Sequence, residues 1–198
     1  MSHGHKRKST ATLLRKNLPN FLTLLNMLSG LVVVYLSIGQ KGHNYAVLSC
    51  ILILIAAGLD TFDGAIARLV GAESDFGKQL DSFADLISFG IAPVAVLLTV
   101  EAIAATPALL FILVLYPAAG AFRLARFNLG NYTDHFEGLP ITAAGFTQAC
   151  FILLLCRVPL PAPWTVGLTA LLTALLSILM VSTFKIGKIK LLLKGTRF

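Results

Sequence analysis

Residues 60–85 read DTFDGAIARLVGAESDFGKQLDSFAD. Six of the chain's nine acidic residues fall here, four of them in two spaced pairs, Asp60 with Asp63 and Asp81 with Asp85. On a helix, residues three or four apart share a face, so each pair presents both carboxylates to one side. The two acidic faces are expected to converge on one cavity. Gathered carboxylates repel one another unless cations lie between them, and hard divalent ions such as Mg2+ or Mn2+ take oxygen ligands. The stretch therefore reads as a metal site. Gly64 follows the first pair directly and Gly77 stands four residues before Asp81, and at such positions a ligand can approach the backbone closely. Arg68 adds a planar cation suited to a phosphate oxygen. Carboxylates, glycines and arginine together point to a diphosphate substrate.

Outside this stretch the chain is oily. Of its 198 residues, 57% are hydrophobic and 13% charged, and the mean hydropathy is +0.83, too apolar for an ordinary soluble domain. A bilayer core of roughly 30 Å takes about 20 apolar residues per helix. Six such spans can be placed, at about 18–38, 45–68, 79–100, 107–127, 139–157 and 164–184. The expected architecture is an all-α polytopic membrane protein with six transmembrane helices. A six-helix catalytic domain over 18–184 is expected between a basic segment, 1–17, and a basic tail, 185–198.

The formal net charge of +7 raises nucleic acid as a partner, but the distribution of charge excludes that class. Lys6, Arg7, Lys8, Arg15 and Lys16 precede the first span, and Lys185, Lys188, Lys190, Lys194 and Arg197 follow the last. With both termini inside, Arg68, Lys78, Arg123 and Arg126 also fall inside, so 14 of 16 basic residues obey the positive-inside rule. The tails then read as topology signals and contacts to anionic headgroups, with both termini and the acidic pocket facing the cytoplasm. The first span has a basic n-region, but its length, its Asn26 and the lack of an A-x-A-like site predict a retained helix. Cys50, Cys150 and Cys156 lie in apolar spans without metal-ligand spacing and read as small core residues.

Depth separates the acids. A helix begun near Tyr45 carries Asp60 roughly 22 Å along its axis at 1.5 Å per residue, still below the edge of a ~30 Å core. Charged groups at such depth face a water-filled cavity or a functional site. Glu73 and Asp75, by contrast, fit a solvated link. Pro19 is expected to open the first helix, where its missing N–H leaves nothing unpaired. Asn20 and Thr23 face one way just beyond it and serve either interhelical hydrogen bonds or a ligand.

The pattern Asp60-x-x-Asp63-Gly64-x-x-Ala67-Arg68, then Gly77-x-x-x-Asp81-x-x-x-Asp85, resembles the complete signature of the CDP-alcohol phosphotransferases, with eight fixed positions across 26 residues. The resemblance implies that family's fold and a homodimer. It also implies that Asp60, Asp63, Asp81 and Asp85 hold two divalent ions, Mg2+ or Mn2+. Arg68 would then bind a phosphate oxygen, and Asn20, Thr23, Gly64, Ser74 and Gly77 would contact the CDP-lipid. Asp85 would act as general base on an acceptor hydroxyl in a direct displacement that releases CMP.

The runs Asp81–Pro93, Phe122–Asn128 and Phe136–Pro140 resemble the branch of the family that uses serine. The implied substrates are CDP-diacylglycerol and L-serine, met at the membrane, with no nucleic acid involved. Arg123 and Arg126, three apart on one helical face, read either as membrane-edge anchors or as ligands for a serine carboxylate. Glycerol 3-phosphate or an inositol phosphate is the alternative acceptor. It would need a basic cluster, for which Lys78, Arg123 and Arg126 are the candidates. A cation-coupled carrier and an intramembrane prenyltransferase also use buried acids, but neither requires Gly64, Arg68 and Gly77 at these spacings. His135 and Glu137, in the loop after the fourth span, are assigned no chemistry.

Overall fold

The structure is a computed structural model that describes residues 3–39, 42–70, 74–129, 136–182 and 185–186; within these ranges, side chains are described except for 3–17, 63, 65–70, 136–137 and 185–186. Helices α1 (His3–Gly39) and α2 (His43–Val70) come first. The third span joins α3 (Asp75–Asp85), a π-helical turn (Leu86–Ile91) and α4 (Ala92–Leu97). The short α5 (Glu101–Ala104), α6 (Pro107–Leu129), α7 (Ile141–Arg157) and α8 (Ala162–Val181) complete the order. Two-residue strands, β1 (Phe136–Glu137) and β2 (Lys185–Ile186), pair antiparallel beyond α6 and α8.

Five helical segments are long and apolar enough to cross a membrane: Leu18–Gly39, His43–Phe62, Asp75–Leu97, Pro107–Leu129 and Ala162–Val181. The apolar α7 is shorter, at 17 residues. The protein is an integral, multi-pass helical membrane protein, and its helices fall where hydropathy places them. Large apolar side chains such as Ile38, Phe111, Leu171 and Ile178 point outward, as they do when the surrounding solvent is lipid.

One boundary differs from expectation. Pro19 does not open a helix; it lies inside α1, which is continuous from His3. Proline inside a membrane helix is tolerated, and one turn beyond it Thr23 Oγ1 donates to the Pro19 carbonyl at 3.0 Å. The Glu101–Pro107 link likewise contains a helical turn, α5.

The third span is the centre of the bundle, packed by α1, α2, α6 and α7. Small residues let these helices close on it. A Cβ on Gly30 of α1 would stand 2.5 Å from Ser88 Oγ, and one on Gly145 of α7 would stand 2.6 Å from Phe89 Cβ. The wide π turn directly follows Asp85, and two side chains hold it. Ser88 Oγ donates to the Asn26 carbonyl at 2.9 Å, and the buried Tyr116 hydroxyl of α6 donates to the Phe89 carbonyl at 3.0 Å. The segment bearing Asp85 is thus locked to both α1 and α6.

Candidate active site

The site is built at the bundle end where α2, α6 and α8 finish and α3 and α7 begin. Ser74, in extended conformation, caps α3 by accepting from the Gly77 N–H at 3.0 Å, which satisfies one of the unpaired first-turn donors. The helix then carries Asp81 and Asp85 one turn apart on one face. Asp60 arrives from α2. One carboxylate oxygen from each of Asp60, Asp81 and Asp85 lies within 4.8 Å of the others. Asp85 is buried, while Asp60 and Asp81 are half-buried. Asp60 and Asp85 are in hydrogen-bonding range of each other, and Thr142 Oγ1 of α7 donates to Asp60 Oδ2 at 3.1 Å.

Three carboxylates so close together at the end of an apolar bundle repel unless a cation intervenes. Their donors are all hard oxygens, so the residues present fit a divalent cation of the Mg2+ or Mn2+ type rather than a thiophilic metal. Among the described residues no other group of three or more histidine, cysteine or acidic side chains converges in this way. The side chains of Asp63 and Arg68 lie outside the described residues. Gly64, half-buried, follows Asp60 by one turn on α2.

A second group gathers beside the first. A Cβ on Gly77 would stand 3.0 Å from Asn20 Oδ1 and 3.1 Å from Ser74 Oγ. Asn20, Ser74 and Gly77 therefore meet, although Asn20 lies more than fifty residues before the other two in the chain. Thr23 is buried one turn further along α1.

The two arginines, which also interact electrostatically with each other, make different contacts. Arg123 is buried and interacts electrostatically with Asp85, and its Nε has no hydrogen-bond partner. Arg126 instead donates to the carbonyls of Val181 at 3.1 Å and Ser182 at 3.4 Å, closing the C-terminal end of α8. Lys78 is also engaged elsewhere. Its Nζ lies 3.5 Å from the Asn128 carbonyl and 5.4 Å from the centroid of the Phe127 ring.

Sequence reasoning missed Thr142 and the tie between α3 and α6, in which Asn128 Nδ2 donates to Ser82 Oγ at 2.9 Å. A hydroxyl just after Pro140, at the polar start of an apolar helix, was the available signal for Thr142. Asn128 ends the Phe122–Asn128 run that already stood out.

An apolar helical bundle with a carboxylate cluster at one end fits a membrane-embedded divalent-cation site. Residues 16–186 match the CDP-alcohol phosphatidyltransferase family, and the chain belongs to it. It is 34% identical over 175 residues to the CDP-diacylglycerol--serine O-phosphatidyltransferase of Bacillus subtilis (strain 168), covering 87% of this chain and 91% of that one. It is 37% identical over 134 residues to the protein of the same name from Mycobacterium leprae (strain TN), covering 64% of this chain. Against the archaetidylserine synthase of Methanothermobacter thermautotrophicus it is 38% identical over 139 residues, covering 69% of this chain. The matched regions span 43% of the Mycobacterium relative and 58% of the Methanothermobacter relative.

Proposed function

We propose that the protein transfers the phosphatidyl group of CDP-diacylglycerol to the hydroxyl of L-serine, forming phosphatidylserine and releasing CMP. The observation that carries this reading is the convergence of Asp60, Asp81 and Asp85 with the buried Arg123 beside Asp85, in a chain whose relatives bear serine-transferase names.

Asp60, Asp63, Asp81 and Asp85 would hold two divalent ions, Mg2+ or Mn2+, which supply charge neutralisation for the diphosphate when bound. Asn20, Thr23, Gly64, Ser74 and Gly77 line the CDP-lipid side, with Gly77 letting Asn20 and Ser74 close on the start of α3. Arg68 binds a phosphate oxygen. Arg123 pairs with the serine carboxylate, which orients the hydroxyl toward Asp85. Asp85 takes the hydroxyl proton as general base. The serine oxygen forms a bond to the phosphorus bearing diacylglycerol, the bond from that phosphorus to CMP breaks, and CMP leaves with the electron pair.

The serine-transferase names of the relatives favour serine over a phosphorylated acceptor. Glycerol 3-phosphate or an inositol phosphate brings a dianion that calls for several cations at the pocket mouth. The charge distribution supports a cytoplasmic pocket, with the basic segments 1–17 and 185–198 on the same side of the six-helix catalytic unit 18–184. The family resemblance supports a homodimer.

The test is product identification. Purified protein in detergent is given CDP-diacylglycerol and isotopically labelled serine with Mg2+ or Mn2+, and the lipids are separated. Labelled phosphatidylserine that disappears when the metal is chelated supports the assignment. CMP release without incorporation of label overturns serine as acceptor.

A further inference from the structure

The N-terminal turn of α7 reaches the carboxylate cluster through one side chain, the Thr142 hydroxyl, bonded to Asp60 Oδ2. Hydroxyls inside the helices of this bundle usually turn back on their own backbone. Thr147 donates to the Ala143 carbonyl at 2.8 Å, and Thr169 to the Thr165 carbonyl at 2.7 Å. Thr142 stands in the first turn of α7, two residues after Pro140, and does not do so. Its one proton is spent across the helix interface instead.

The backbone behind that hydroxyl is fixed. Ile141 is buried, with its Cδ1 2.5 Å from the Cβ position of Gly120 on α6 and 3.6 Å from that of Gly90 in the π turn. Pro140 supplies no side-chain cap, and its carbonyl accepts from the Ala144 N–H at 3.0 Å. Thr142 is therefore presented to α2 from a turn wedged between α6 and the third span. A donor held on Oδ2 sets the plane of the Asp60 carboxylate and leaves Oδ1 and the remaining lone pair of Oδ2 for a cation.

We propose that Thr142 is a positioning residue for Asp60, fixing the carboxylate in the orientation that receives the divalent ion and so tying metal affinity to the seating of α7. This rests on the reading of the carboxylate cluster as a metal site. Outer partners of metal-binding carboxylates typically change affinity 10–100-fold when removed.

Mn2+ alone is titrated into the purified full-length protein in detergent, and free Mn2+ is read by electron paramagnetic resonance. Thr142→Val, which keeps the shape and loses the donor, should weaken Mn2+ binding roughly tenfold or more. Thr142→Ser, which restores the donor, should bind within about threefold of the unaltered protein. Thr142→Ala provides the same comparison if the valine variant does not fold. Unchanged Mn2+ affinity in the folded donor-less variant overturns the role of Thr142 while the metal site stands. So does weakening that serine fails to restore. Absence of Mn2+ binding by the unaltered protein overturns the metal site, and this proposal with it.

Discussion

Gly77 of α3 packs against Asn20 of α1 so closely that a Cβ on residue 77 would stand 3.0 Å from Asn20 Oδ1. The contact joins the start of the third span to the first, beside the carboxylates. A methyl group there forces Asn20 or Ser74 to give way by a few tenths of an ångström, and overpacking of this kind costs about 1–3 kcal/mol. Gly77→Ala should therefore raise the KM for the CDP-lipid about tenfold while the KM for serine stays level. Equal changes in both would place the contact outside the nucleotide side of the pocket.

Arg123 and Arg126 should separate in kinetics as they do in space. Losing a charge-assisted bond to a carboxylate costs about 1.5–3 kcal/mol, so Arg123→Gln should raise the serine KM by at least tenfold. The CDP-lipid KM should hardly move. Arg126→Gln should leave the serine KM in place and lower the melting temperature, because the Val181 and Ser182 carbonyls lose their donor. A serine KM that responds to Arg126 rather than Arg123 would reverse the assignment.

Asp85→Asn keeps the side-chain volume and removes the base. Turnover should fall by roughly 10²–10⁴, with CDP-lipid binding retained in a direct binding assay. Asp60→Ala acts earlier in the sequence of events: metal-dependent nucleotide binding itself should weaken. Full activity in Asp85→Asn would remove Asp85 from the chemistry.

Tyr116→Phe tests the π turn. The tyrosine is fully buried and its hydroxyl meets the Phe89 carbonyl, so deletion leaves a buried acceptor without that donor at a cost of about 1–3 kcal/mol. The melting temperature in detergent should fall accordingly. No change would mean that the widened turn is held by its packing against Gly30 and Gly145 and by the Ser88 bond to Asn26 alone.

The parts legible in the sequence were those set by local pattern. Hydropathy located the spans because each must fill the bilayer by itself. The four-residue spacing of Asp81 and Asp85 placed both on one face because helix geometry alone decides it. The rest depended on what another helix brings. The bonds of Arg126 depend on where α8 ends. Thr142 became an Asp60 donor through the seating of α7, so the hydroxyl after Pro140 could be noticed in the sequence but its partner could not. Pro19 looked like a helix start because its missing N–H is harmless there, yet the helix runs through it. The π turn after Asp85 adds a residue to one helical turn without any composition that marks it.

CMP release is the most direct measurement of the central claim. Purified protein in detergent, with CDP-diacylglycerol and Mg2+ or Mn2+, is given L-serine, glycerol 3-phosphate or an inositol phosphate in separate reactions. The account predicts rapid CMP release with serine alone and none in any reaction once the metal is chelated. Release driven by a phosphorylated acceptor and not by serine, or no release from folded, metal-loaded protein with any acceptor, would contradict it.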